Sequence, residues 1–156
     1  MTKPKSMVII ASQGTLDWAY PPLILATTAA ALDYRVSMFY TFYGLQVLKK
    51  KLDLRLSPLG NPAMPMPISL PVLMQALPGM EAMATAMMRK KLLSKGVASI
   101  QTLRELALES DVRFIACQMT VDLFDMARDD LIDGIEYAGA TSFFEAAEEA
   151  TITLYT

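Results

Sequence analysis

The sequence predicts an α/β protein with a three-layer α/β/α arrangement and a mostly parallel sheet of about five strands. Two observations predict it. Short apolar and β-branched runs alternate along the chain with segments of helical period, and such an alternation builds parallel strand pairs through crossover helices. The chain has 156 residues, 53% of them hydrophobic and 19% charged, enough to bury one substantial core and far from a disordered composition.

The elements follow in order. Met7 to Ser12 is an apolar run closed by Gln13-Gly14, a buried first strand. Asp17 to Leu32 is a helix that accepts Pro21 and Pro22 only in its first turn. Its body, LILATTAAAL, is apolar on nearly every side, which hints at a subunit interface. Arg35 to Phe42 is a second strand, and Tyr43 to Lys51 a short helix whose lysines suit its C-terminal end.

Residues 57–79 break the pattern with prolines and methionines. Met80, Met83 and Met87 then recur at helical spacing. Residues 57–95 read as a Met/Pro-rich insert or arm within a single domain spanning 1–156. The uncharged run Leu56 to Met80 contains six prolines, each costing a helix interior roughly 3 kcal/mol, so a membrane-spanning helix is not expected there.

Ser99 caps a helix carrying Ile100, Leu103, Leu106 and Ala107 on one face. VRFIAC, Val112 to Cys117, is a strand, and Thr120 caps a short helix to Met126. Ile135 to Ala138 is a further strand, Ser142 and Glu145 have capping-box spacing, and Ile152 to Tyr155 is the last strand.

Composition narrows the chemistry. There is no histidine, which removes Ser-His-Asp and Cys-His catalysis and His-ligated zinc. There is one cysteine, so no intrachain disulfide and no CxxC pair. A lone thiol and no recognisable secretion signal point to the cytoplasm. A net charge of −2 argues against nucleic-acid binding.

That charge is unevenly spread. Residues 1–104 hold 12 Lys/Arg against 4 Asp/Glu, a balance of +8, and residues 105–156 hold 2 against 12, a balance of −10. The cations cluster at Lys49, Lys50, Lys51 and at Arg89, Lys90, Lys91, Lys95. They read as solvated helix ends, as a docking patch for an acidic partner or anionic substrate, or as one half of a self-association contact.

Cys117 ends a strand just before a helix. In open parallel sheets ligands collect beyond the strands' carboxyl ends, and a helix start favours thiolate over thiol. The competing reading is a small buried apolar residue. Ser12, Gln13, Gly14, Thr41, Gly139, Ala140 and Thr141 converge on the same edge, as anion-pocket residues or as ordinary turn residues.

The stretch Cys117-Gln118-Met119-Thr120-Val121-Asp122-Leu123, then LIDGIEYAGATSFFEAA at 131–147 and MPMP with LPGMEAMATAMMRKK before them, resembles the DsrE/DsrF-like sulfur-relay family. The match is to its branch with a Met/Pro-rich insert and one Cys-x-Met-Ser/Thr motif. The resemblance implies a flavodoxin-like subunit in a homo-oligomer. It implies a sulfurtransferase-like carrier holding sulfane sulfur on Cys117 as a persulfide or thiosulfonate, with no cofactor and no metal. Gln13, Gly14, Gln118, Met119, Thr120, Gly139 and Thr141 are then candidates for substrate binding, and Lys90, Lys91 and Lys95 for neutralising an anion. The implied partners are a TusA-like sulfur carrier or a rhodanese-like donor, with a peripheral membrane or membrane-protein contact through 57–95. Two other classes stay open: a peroxide-reactive single-cysteine protein and a non-catalytic binding or assembly module.

Overall fold

The computed structural model describes residues 4–58 and 77–156. Most of the proline- and methionine-rich stretch lies outside them. Five strands, β1 (Ser6–Ala11), β2 (Arg35–Tyr40), β3 (Arg113–Cys117), β4 (Glu136–Ala138) and β5 (Ile152–Tyr155), form one sheet in the order β4-β3-β2-β1-β5. Every pairing is parallel. The helices are α1 (Leu16–Ala31), α2 (Met80–Ser94), α3 (Ile100–Glu109), the six-residue α4 (Gln118–Leu123) and α5 (Ala140–Glu148). Two 3-10 helices, Phe42–Leu48 and Arg128–Asp130, complete the set among the described residues.

The strand order explains the layering. The chain steps from β1 to β2 to β3 in one direction, so right-handed crossovers put α1 and α3 on the same face. There Ile9, Val36, Met38, Tyr40, Phe114 and Ala116 pack against Leu23 and Ala26 of α1 and Leu103 and Ala107 of α3. From β4 the chain crosses behind the sheet to its far edge at β5, carrying α5 to the opposite face. That face is covered more thinly: Phe39, Ile115 and Cys117 form a small cluster against Phe143 of α5.

Several local expectations are corrected. Pro21 and Pro22 stand in the second turn of α1, where each removes a helical N–H donor. Strand β2 stops at Tyr40, because Phe42 takes a left-handed φ of 46° and opens the expected short helix one residue early, as a 3-10 helix ending at Leu48. Ser99 does cap α3, accepting from the Thr102 N–H at 3.1 Å. Leu106, placed on the buried face, is exposed, and Arg104 is buried instead. Its guanidinium donates to the carbonyls of Val47 and Lys49, both at 2.8 Å. Burial holds that guanidinium below its ordinary pKa.

The segment after the 3-10 helix is tied to two helices. Asp17 accepts from the Ser57 N–H at 2.9 Å and the Ser57 hydroxyl at 2.7 Å. Arg89 of α2 donates to the Leu54 carbonyl at 2.8 Å, and Thr85 accepts from the Leu56 N–H at 3.1 Å. Partial burial pushes the Asp17 carboxyl up, but the Ser57 and Thr15 hydrogen bonds outweigh it and leave the pKa lowered.

Candidate functional site

The carboxyl edge of the sheet gathers residues from four strand ends. Cys117 ends β3 opposite Ala138 of β4, and the β2–β3 register carried one step places Thr41 on its other side. Side chains alternate across a strand, so Ala116 faces the α1–α3 core and Cys117 faces α5. The thiol lies among Phe39, Ile115, Ala138 and Phe143, and the residue is 6% exposed. The Phe39 and Phe143 rings meet at 5.8 Å.

No loop separates β3 from α4. Cys117 is itself the N-cap residue of α4, with extended φ −65° and ψ 111°. Thr120, expected to cap, lies inside the helix and is fully buried. Its hydroxyl accepts from the Phe42 N–H at 3.2 Å and shares a hydrogen bond with the Thr41 hydroxyl at 3.2 Å. Thr120 therefore joins α4 to the end of β2 and shapes the edge from behind. Ser142, expected to open a capping box with Glu145, is likewise inside α5; Gly139 occupies the N-cap position, without a side chain to donate or accept.

Gly14 and Gly44 hold the 3-10 helix against the end of β1. A Cβ on Gly14 would stand 2.2 Å from the Tyr43 carbonyl oxygen, and one on Gly44 2.1 Å from that of Ala11. Gly14 is thus required by close backbone approach, beside exposed Gln13. Gly139 and exposed Thr141 lie where β4 turns into α5, next to Ala138. Gln118 is half-buried and Met119 is exposed beside the cysteine.

Lys90, Lys91 and Lys95 belong to a different part of the molecule. They lie exposed at the end of α2, which packs on residues 54–56, and among the described residues no hydrogen bond or ion pair joins them to the cysteine edge. The cation that does approach the edge is Arg128. It donates to the Gln118 side-chain oxygen at 2.8 Å and stacks 4.2 Å above the Tyr137 ring. Gln118 in turn donates to Asp122 at 2.6 Å. Arg128 was not read from the sequence, where a single arginine among four aspartates carries no local pattern.

The rim is apolar. Phe42 meets Phe124 edge-on at 6.4 Å, Tyr43 stacks on Phe124 at 5.8 Å, and Met119 and Leu123 project from α4 into solvent. The arrangement offers a single buried thiol clustered with aromatic side chains at the start of a helix, with one guanidinium held by the next residue's side chain on the other side of the sheet.

The family model for the DsrE/DsrF/DrsH-like family matches residues 3–155. The chain belongs to that family. DsrE-like relatives resemble it along nearly its whole length. It is 63% identical over 155 residues to the "Sulfur carrier protein DsrE2" of Allochromatium vinosum, covering 97% of this chain and 98% of that one. It is 29% identical over 157 residues to "Uncharacterized protein YrkE" of Bacillus subtilis, covering 97% and 96%. Among solved structures, the ychN protein of E. coli superposes with a TM-score of 0.56 at 13% identity, over 97% of this chain and 99% of that one. At that identity the likeness bears on the fold, and it agrees with the DsrE-like α/β reading. Among the described residues no helix is long and apolar enough to cross a membrane.

Proposed function

We propose that this chain is a sulfur carrier that holds sulfane sulfur on Cys117. The observation that carries the reading is the position of the chain's one thiol, at the junction of β3 and α4 on the carboxyl edge of a parallel sheet. The relative named as a sulfur carrier supports it, being 63% identical along the whole chain.

The chemistry is a pair of sulfur exchanges without net redox change. The Cys117 thiolate attacks the outer sulfur of a donor persulfide; a new S–S bond forms, the donor's S–S bond breaks, and the donor thiolate leaves. An acceptor thiolate then attacks the outer sulfur of the Cys117 persulfide and restores the Cys117 thiolate. A thiosulfonate forms in the same way when tetrathionate is the donor, with thiosulfate leaving. The first N–H groups of a helix have no intrahelical acceptor, so those of α4 are available to an anionic group carried beyond the Cys117 sulfur. In this reading Gln118 meets an outer anionic group, and Gln13, Met119, Gly139 and Thr141 border the opening. The chemistry calls for a persulfide donor and an acceptor thiol; the family resemblance suggests a cytoplasmic TusA-like carrier or rhodanese-like donor in those roles.

Intact-mass measurement after incubation with polysulfide or tetrathionate tests the reading. Wild-type protein is expected to gain a reductant-labile sulfur adduct, and Cys117→Ser none. A wild-type protein that gains no such adduct overturns it. Rapid peroxide oxidation of Cys117 without sulfur loading would favour the thiol-redox alternative.

A further inference from the structure

We propose that helix α2 of one copy docks on the cysteine edge of a second copy, placing its lysines beside α4 of the neighbour. The contact itself does not rest on the sulfur-carrier reading; its effect on the Cys117 anion does.

Helix α2 is amphipathic in an unusual sense. Its inward face carries Thr85, Arg89 and Leu92, which meet residues 52–56, with half-buried Met88 beside them. At 3.6 residues per turn, Met83, Met87, Lys90 and Lys91 share the opposite face. Met83 and Met87 are 53% and 66% exposed, and both lysines are exposed. An apolar centre with cations at one end is thus turned wholly to solvent.

Helix α4 presents the counterpart. Thr120 and Val121 are buried, so Met119, Asp122 and Leu123 face outward together. Met119 and Leu123 are each 58% exposed, and Tyr43 beside them is 62% exposed. Asp122, Asp125, Asp129 and Asp130 are exposed on α4 and the turn after it, with Arg128, Lys49 beside Leu131, and Lys50, paired with Asp133 at 3.7 Å, as the nearby cations. The two patches match in kind: methionine and leucine at the centre, opposite charge at the edge. Their signs follow the uneven charge of the whole chain, +8 before residue 105 and −10 after it.

Two different patches on one chain make a head-to-tail contact, which recurs through every subunit of a closed assembly. Each Cys117 edge then receives Lys90 and Lys91 from a neighbour, cations its own chain keeps elsewhere.

The test is sedimentation velocity at micromolar concentration on four proteins. These are wild type, Lys90→Glu/Lys91→Glu, Asp122→Lys/Asp125→Lys, and all four changes in one chain. Each double variant is expected to weaken self-association roughly tenfold or more, and the combined variant to regain most of it. Carbodiimide coupling of mixed normal and heavy-nitrogen wild-type protein should join the Lys90–Lys91 peptide to the Asp122–Asp130 peptide in mixed-isotope products. This second measurement decides the matter if a variant fails to fold. A monomeric wild type, self-association unchanged by both charge reversals, or couplings confined to single-isotope products would each overturn the proposal.

Discussion

The buried Thr120 hydroxyl takes up the backbone N–H of Phe42 at 3.2 Å, across 78 positions of sequence. Phe42 has the left-handed φ of 46° that bulky L-residues avoid, and among the described residues the other non-glycine ones with positive φ are all aspartates. One side chain inside α4 therefore stabilises the strained turn that starts the 3-10 helix. Thr120→Val leaves that N–H and the Thr41 hydroxyl without their partner. A loss of about 1–3 kcal/mol in urea unfolding is expected, with Cys117 still present to react.

Phe143 roofs the thiol. Phe143→Ala should raise the rate of Cys117 alkylation by iodoacetamide by roughly tenfold, as the side chain becomes accessible, and lower stability by about 2–3 kcal/mol. Alkylation as slow as in wild type would show that some other group shields the sulfur.

Arg128 is the guanidinium held at the cysteine edge through Gln118. Arg128→Ala is expected to slow the reaction of Cys117 with tetrathionate roughly three- to tenfold, a change of about 1 kcal/mol, while leaving the rate with neutral iodoacetamide unchanged. Parallel stopped-flow or mass-spectrometric time courses with the two reagents separate charge from access.

Gly14 stands where the backbone of Tyr43 leaves no room for a methyl group. Gly14→Ala should cost about 3 kcal/mol, because the Tyr43 carbonyl it would meet is backbone and cannot rotate away. Circular dichroism during urea titration would show it as a lowered midpoint with an unchanged slope.

Asp17 carries a pH-dependent tether. Its folded pKa is lowered, so the stability it adds is fully present above the unfolded carboxylate value of about 3.9 and is lost as pH falls through the folded value. Asp17→Ala should cost about 1 kcal/mol at neutral pH, allowing for solvent screening of this half-buried group. The gap between variant and wild type should close below about pH 4, measured by urea midpoints across a pH series.

Much of the fold was legible because its signals are local. The apolar runs at 7–12, 35–42, 112–117, 135–138 and 152–155 each fall on a strand to within two residues at their ends, and alternation with helices gave the parallel order of connections. What could not be read depends on residues far apart. Leu106 lost its place on the buried face of α3 to Arg104, whose partners are two carbonyls more than fifty positions earlier. Thr120 and Ser142 have the chemistry of caps, but Cys117 and Gly139 occupy those positions, since β3 and β4 run into their helices with almost no loop. Arg128 reaches the cysteine edge through a turn whose geometry no short motif encodes. The cysteine itself was legible from its place at a strand end; its aromatic cover needed the crossover of α5.

That crossover also orders events on the ribosome. Strands β1, β2 and β3 and the helices α1 and α3 that cover one face all precede residue 118, whereas Phe143 and β5 belong to the final stretch of the described chain. A nascent chain can assemble most of its sheet while the sulfur of Cys117 is still uncovered. For the interval between synthesis of residue 117 and docking of α5, the thiol that the finished protein shelters is open to any oxidant it meets.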